Sequence, residues 1–144
     1  MRKTNVLFLC THNAARSQMA EGFLQEYAGD EFEVYSAGFE PWPVHPPVRQ
    51  VMEEVGIDIA DQYAKDVEKY LGEKHFGYII TVCARAEELC PTFPGMGQRL
   101  FWPFEDPATA EGSEEEKLEA FRRVRDQIDT RIREWLVEQG IDVE

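Results

Sequence analysis

The sequence predicts a single α/β domain over residues 1–144, built on a four-stranded parallel sheet flanked by helices. Two observations support this prediction. Short apolar segments, typical of strands buried on both faces, alternate along the chain with segments whose apolar residues recur at helical spacing. Strands that alternate with helices form parallel sheets joined by crossover connections. A chain of 144 residues is also long enough to bury a sizeable core.

Four apolar segments are predicted to be the strands. They cover residues 5–9, 32–37, 78–82 and 99–102. The first strand runs directly into Cys10, and the third runs directly into Cys83. Parallel sheets bind ligands at the carboxyl ends of their strands. Both cysteines are therefore expected at the functional edge of the sheet.

Helical periodicity predicts four helices between and after these strands. They are expected from residue 16, near residues 48–55, around residues 66–71 and over residues 113–137. Gly56 is a natural C-terminal stop for the second helix. Ser113 followed by Glu116 is a capping-box sequence, which fixes where the last helix begins. The inward face of that helix is predicted to carry Leu118, Phe121, Val124, Ile128, Ile132 and Trp135.

The charge and cysteine content exclude several classes of protein. Fifteen basic and 28 acidic residues give a formal net charge of −13, which repels nucleic acid and anionic membranes. No segment approaches the roughly 20 apolar residues needed to span a bilayer. Three cysteines without a signal peptide predict reduced thiols and a cytoplasmic protein. Any anion site in this acidic chain has to be strong and local.

The loop between the first strand and the first helix is a candidate anion site. It runs Cys10-Thr11-His12-Asn13-Ala14-Ala15-Arg16 and is followed by Ser17. So short a loop has to curl, and its backbone N–H groups then converge on one point. The helix N-terminus and Arg16 favour a Cys10 thiolate with a lowered pKa. Ser17 can hydrogen-bond that thiolate, and Asn13 suits left-handed backbone. We predict that Cys10 attacks a bound tetrahedral oxyanion; a buried structural cysteine is the alternative.

Residues 10–21, with the sequence Cys-Thr-His-Asn-Ala-Ala-Arg-Ser-Gln-Met-Ala-Glu, resemble the phosphate loop of low-molecular-weight protein tyrosine phosphatases and of the arsenate reductases that share their fold. Similar segments follow at residues 36–38, 56–59 and 106–107, so the resemblance covers almost the whole chain. It implies Cys10 as the nucleophile, Arg16 as the oxyanion clamp and Asp106 as the general acid. His12 is interpreted as a polar or charge-balancing neighbour without a catalytic role.

The other two cysteines favour an arsenate reductase. Cys83 and Cys90 lie in a segment that is similar to the C-x6-C-P segment of thioredoxin-coupled arsenate reductases. The resemblance implies a relay in which Cys10 attacks arsenate, Cys83 attacks the Cys10 sulfur with release of arsenite, and Cys90 resolves the disulfide for reduction by thioredoxin. If residues 83–90 were helical, the two Cα atoms would lie roughly 10 Å apart, too far for a disulfide, and the segment would have to unwind.

Two other interpretations stay open. A hydrolytic low-molecular-weight tyrosine phosphatase would cleave phosphate monoesters through a Cys10 phosphocysteine and would leave Cys83 and Cys90 idle. A module that senses an oxyanion or a redox state would keep Cys10 and Arg16 but would not use Asp106 as an acid.

The resemblance implies no required cofactor. Some members of the family hold a potassium ion near the loop, and Asn13, Glu21, Ser36 and Asp66 match the positions of its ligands. Three basic residues that could guide an anion are interpreted as ordinary solvated charges: Lys65, Arg85 and Arg99. The expected partners are an arsenate or phosphate-like oxyanion and thioredoxin, with no nucleic acid and no membrane, and the expected state is a monomer.

Overall fold

A computed structural model describes residues 3–70, 74–89 and 96–142 of the chain. The strands are β1 (Thr4–Cys10), β2 (Phe32–Gly38), β3 (Phe76–Thr81) and β4 (Met96–Phe101). The helices are α1 (Arg16–Ala28), α2 (Pro46–Glu54), α3 (Ala84–Leu89) and α4 (Glu114–Glu138). Within these ranges, no helix is both long and apolar enough to cross a membrane.

The four strands form one parallel sheet, as predicted, and their order in it is β2-β1-β3-β4. β1 is central, and its last five residues are buried because strands pair with it on both sides. Leu9 lies opposite Thr81, and Thr81 lies opposite Phe101, so β1, β3 and β4 end at the same edge. Cys10, Cys83 and the segment after Phe101 therefore meet at that edge.

α4 covers the sheet with the face that its periodicity predicted. Five of its six predicted inward residues are buried, and Leu118 is partly buried. Trp135 packs against Phe32, Tyr78 and Trp102, which ties the helix to β2, β3 and the residue after β4. The Ser113 hydroxyl accepts from the Glu116 N–H, and the Glu116 carboxylate accepts from the Ser113 N–H. The predicted capping box is confirmed.

Some of the predicted helix boundaries were wrong. The helix expected around residues 66–71 is a single 3-10 turn, Val67–Lys69, because Asp66 caps it by accepting the Glu68 N–H, and Leu71 lies outside the described residues. α2 begins at Pro46, two residues earlier than expected, since the fixed φ of proline suits the first turn of a helix. The stop at Gly56 is confirmed by its φ of 82°.

Candidate active site

The Cys10 loop is fastened by its carbonyl groups, which point outward. The carbonyls of Thr11, His12 and Ala14 accept hydrogen bonds from the N–H groups of residues 40, 42 and 45 at 2.8 to 3.0 Å. Asn13 has a φ of 51°, which confirms the predicted left-handed backbone. Across the described ranges, the N–H groups of residues 12 to 15 donate to no protein acceptor. This is the arrangement expected of an anion nest.

The end of β2 and the side chain of Asn13 hold the loop from behind. A Cβ atom at Gly38 would lie 2.8 Å from the Asn13 nitrogen and from the Thr11 oxygen, so only glycine permits this approach. The Asn13 amide donates to the Ser17 hydroxyl at 2.7 Å and accepts the Lys65 N–H at 2.9 Å. The expected hydrogen bond from Ser17 to Cys10 is not present among the described residues, and the Ser17 hydroxyl instead accepts the amide N–H of Asn13.

The sulfur atoms of Cys10 and Cys83 lie 3.6 Å apart, and both residues are 4% exposed. The Thr11 hydroxyl lies 3.4 Å from the Cys83 sulfur. The expectation that both cysteines reach the same edge of the sheet is therefore confirmed. Cys90 lies outside the described residues.

The two thiols share one proton, because two sulfur atoms at this distance cannot both carry a full charge. The hydrogen bond to Cys83 and burial raise the pKa of Cys10, although Arg16 and the Thr11 N–H act in the opposite direction. The hydrogen bonds from Cys10, Thr11 and the Ala86 N–H lower the pKa of Cys83 to about 5 in spite of burial. The expected lowering of the Cys10 pKa is wrong in this arrangement, since Cys83 takes the negative charge.

A pH titration checks this sharing of charge. In a Cys90→Ser variant, thiolate absorbance is expected to rise once, with a midpoint near pH 5, as Cys83 ionises. The folded-state pKa of Cys83 is depressed, so its ionisation stabilises the fold above the unfolded-state pKa, and this contribution is lost as pH falls through about 5. Cys83→Ser in the same background is the control, and it should lower the pKa of Cys10 by removing the group that raises it. A first transition in the ordinary range for a thiol would contradict the shared proton.

Arg16 lies at the start of α1 with its guanidinium facing the end of β4. Its Nη1 donates to the Phe104 carbonyl at 3.0 Å, and its Nη2 lies 3.6 Å from an oxygen of Asp106. Its Nε is buried and has no protein partner among the described residues. Buried donors are normally satisfied, so a free N–H here is suited to an oxyanion in the loop.

Asp106 follows β4 and begins the 3-10 turn Pro107–Thr109. One of its oxygens accepts the Ala108 N–H at 2.9 Å, while the other faces Arg16. The structure thus brings Asp106 to Arg16 and to the cavity that contains Cys10. Its predicted role as general acid stays a prediction.

Two adjoining cavities surround these groups. One of about 420 Å³ is lined by Cys83, and one of about 180 Å³ is lined by Cys10; His12, Arg16 and Asp106 line both. The His12 Nδ1–H donates to the Glu40 carbonyl at 2.9 Å, and its ring stacks on Trp42 with centroids 3.4 Å apart. These contacts fix the orientation of the His12 ring, which lines both cavities. Trp42 was not predicted to belong to the site, because its only signal in the sequence was an aromatic residue in a proline-rich connection.

A polar cluster tethers α3, the helix that follows Cys83. The Glu87 carboxylate accepts from the Thr81 hydroxyl and lies 3.1 Å from Arg99. Arg99 also donates to the Glu87 carbonyl, and its side chain is 27% exposed. Arg99 is therefore a partner of α3, and its interpretation as an ordinary solvated charge was wrong, whereas Arg85 is exposed.

The four residues matched to potassium ligands do not fit a resident potassium ion. The Lys65 ammonium lies 3.4 Å from both the Glu21 carboxylate and the Ser36 hydroxyl. The Lys65 side chain is 7% exposed, so its interpretation as a solvated charge was wrong. Asp66 is exposed and caps a turn. Two unit charges 4 Å apart repel by about 4 kcal/mol at an effective dielectric constant of 20, so a potassium ion beside this ammonium would be disfavoured.

Comparison with known proteins agrees with this geometry. The low molecular weight phosphotyrosine protein phosphatase family matches residues 5–144. An arsenate reductase from Halalkalibacterium halodurans is 47% identical over 133 residues, which are 92% of this chain and 95% of the relative. A solved arsenate reductase in the phosphate-binding state has a TM-score of 0.80 and 33% identity, covering 94% of this chain and 98% of the other.

A thioredoxin-dependent arsenate reductase from Corynebacterium glutamicum is also similar in structure. Its TM-score is 0.72 at 33% identity, and the match covers 94% of this chain and 61% of that protein. The family match extends over the Cys10 loop, Cys83, Cys90 and Asp106. The chain therefore belongs to the low molecular weight phosphotyrosine protein phosphatase family, and within it to the group that contains the arsenate reductases.

Proposed function

We propose that this protein reduces arsenate to arsenite through a relay of Cys10, Cys83 and Cys90, and that thioredoxin regenerates it. The observation that carries the proposal is the distance of 3.6 Å between the Cys10 and Cys83 sulfurs, beside an arginine and a carboxylate. A phosphatase needs one sulfur to form and hydrolyse a phosphocysteine. A second thiol in contact with the first supports a reaction in which a disulfide forms.

In the first step, the loop N–H groups and Arg16 hold arsenate, and the Cys10 sulfur bonds to arsenic. The proton of Cys10 has a nearby acceptor in Cys83, with which it is already hydrogen-bonded. One arsenate oxygen leaves as water once Asp106 has supplied a proton. The product is a Cys10–arsenic(V) adduct.

In the second step, Cys83 first releases to solvent the proton that it took from Cys10, and its thiolate then attacks the Cys10 sulfur. A sulfur–sulfur bond forms and the sulfur–arsenic bond breaks, so its electron pair passes to arsenic, which leaves as arsenite. Cys83 loses the hydrogen bond from Cys10 once the adduct forms, but Thr11, the Ala86 N–H and Arg16 still favour its thiolate. The approach from 3.6 Å to the disulfide bond length of about 2.05 Å is a small movement.

In the third step, Cys90 attacks the Cys83 sulfur and releases Cys10 as a thiol. The six residues of α3 lie between these two cysteines in the sequence, so a Cys83–Cys90 disulfide requires the helix to open. Opening also releases the contacts of Glu87 with Thr81 and Arg99. A dithiol partner such as thioredoxin can then reduce the exposed bond by exchange.

The relay needs reduced thiols, which supports a protein that acts in the cytoplasm, where thiols stay reduced.

The test is arsenate-dependent oxidation of NADPH in the presence of thioredoxin and thioredoxin reductase. Wild type is expected to turn over continuously, and Cys90→Ser to release one arsenite per chain and stop with a Cys10–Cys83 disulfide. Cys83→Ser is expected to release no arsenite, because nothing displaces the adduct. The Cys83→Ser variant should still hydrolyse a phosphate monoester slowly, and this activity would show that its Cys10 loop is intact.

Turnover of arsenate by both variants at the wild-type rate would disprove the relay. Efficient phosphate monoester hydrolysis by wild type without arsenate reduction would favour the phosphatase. Turnover with glutathione and glutaredoxin, but not with thioredoxin, would disprove only the choice of partner.

A further inference from the structure

The Lys65 ammonium lies among the residues that were matched to a potassium site. It is 3.4 Å from the Glu21 carboxylate on α1 and 3.4 Å from the Ser36 hydroxyl on β2. Ser36 in turn donates to the same carboxylate oxygen at 2.5 Å. The Lys65 side chain is 7% exposed and that of Glu21 is 17% exposed, so this is a largely buried ion pair. Burying such charges is favourable only when they are paired.

The oxygens of the other two matched residues are used elsewhere. Asn13 directs its side-chain oxygen to the Lys65 N–H and its nitrogen to Ser17. Asp66 is exposed and accepts the Glu68 N–H. The Lys65 ammonium also lies 5.0 Å from the centre of the Tyr63 ring, a typical cation–π distance. The Lys65 ammonium therefore places one positive charge beside the Glu21 carboxylate, the Ser36 hydroxyl and the Tyr63 ring, which would otherwise attract a free cation.

Lys65 is also coupled to the Cys10 loop through its backbone. Its N–H donates to Asn13, the left-handed residue of the loop, and its carbonyl accepts the Gly38 N–H at 2.8 Å. Gly38 in turn lies against the backbone of Thr11 and Asn13. The ammonium thus joins α1 and β2 to the segment that supports the loop.

We propose that Lys65 is a built-in cation: its ammonium takes the place of a potassium ion behind the Cys10 loop, and the protein is stable and active without potassium. Lys65 is a positioning residue, since it acts on the loop through Glu21, Ser36 and Asn13 and does not touch the oxyanion. The inference rests on the proposed function only for the measurements of arsenate turnover, and the melting temperatures do not depend on it.

The test compares melting temperature and arsenate turnover in KCl, NaCl and tetramethylammonium chloride at an ionic strength of about 0.1 M. Wild type is expected to give the same values in all three salts. Lys65→Ala leaves Glu21 unpaired beside a space for a cation. It should melt at a lower temperature in tetramethylammonium chloride, recover in KCl, and lose roughly 10- to 100-fold in kcat/KM, with part of this loss restored by potassium.

Two further variants separate charge from packing. Lys65→Met removes the charge but fills the space, so its losses should not be restored by potassium. Lys69→Ala is the matched control, because Lys69 also contacts the Tyr63 ring but is exposed, and it should behave like wild type. If Lys65→Ala fails to fold in every salt, Glu21→Gln is used in its place, because it neutralises the partner of Lys65. Glu21→Gln should melt at a lower temperature than wild type, and its melting temperature should be the same in all three salts.

A potassium-specific rise in the melting temperature of wild type would overturn the proposal. It would also be overturned if Lys65→Ala folded and had the same melting temperature in all three salts, or if Glu21→Gln had an unchanged melting temperature. The melting curves need no arsenate, so a failed relay would leave them unaffected, and a failed cation test would leave the relay intact.

Discussion

Replacement of Arg16 by lysine is expected to lower kcat/KM for arsenate by roughly 10²- to 10³-fold, the usual effect of losing one oxyanion donor. Lysine keeps the positive charge but lacks the planar fork that binds two oxygens at once. The Arg16 guanidinium is already fixed by the Phe104 carbonyl and Asp106, and its buried Nε has no protein partner within the described part of the chain. A lysine could not keep this anchor and also present a donor to the oxyanion.

The measurement is steady-state reduction of arsenate, together with calorimetric binding of phosphate as an inert tetrahedral anion. Arg85→Lys is the matched control, because Arg85 lines the larger cavity but its side chain is 65% exposed. Equal kinetics for the Arg16 and Arg85 variants would show that charge alone, and not the fork, is what the site requires.

Replacement of Asp106 by asparagine is expected to lower kcat by roughly 10²- to 10⁴-fold, with little change in phosphate binding. An amide cannot supply the proton that the departing oxygen needs. Asparagine does preserve the turn, because its side-chain oxygen can still accept the Ala108 N–H. It also removes a negative charge from the entrance of the site, so an anion should bind at least as well as in wild type.

The decisive readout is the comparison of kcat with phosphate affinity, because loss of an essential acid slows turnover and leaves anion binding intact. Asp58→Asn is the control because Asp58 makes the same kind of turn, accepting the Ala60 N–H, far along the chain from the loop. An unchanged kcat for Asp106→Asn would favour an oxyanion-sensing or redox-sensing module that uses no acid.

The sequence predicted those features that depend on neighbours along the chain. The four parallel strands, the capping box at Ser113 and the left-handed backbone at Asn13 follow from local periodicity, local hydrogen bonding and local sterics. The meeting of Cys10 and Cys83 was also predicted, because parallel strands carry both to the same edge.

Features that depend on distant partners were not predictable. Lys65 is buried because its partner Glu21 lies 44 residues earlier in the chain, and no local pattern distinguishes it from a surface lysine. The pKa values of the two cysteines depend largely on a contact of 3.6 Å between residues 73 positions apart. Arg16 and the Thr11 N–H favour a Cys10 thiolate, and the hydrogen bond to Cys83 together with burial reverses that preference.

The hydrogen bonds that hold the outward carbonyls of the Cys10 loop affect how the protein distinguishes arsenate from phosphate. Because residues 40, 42 and 45 hold the loop in shape, its inward N–H groups present one tetrahedral outline and cannot adapt to the identity of the central atom. Phosphate, with the same outline and charge, is then a built-in competitor. Discrimination falls to the step after binding, where arsenic accepts an electron pair and departs while phosphorus does not. The enzyme's selectivity is therefore kinetic.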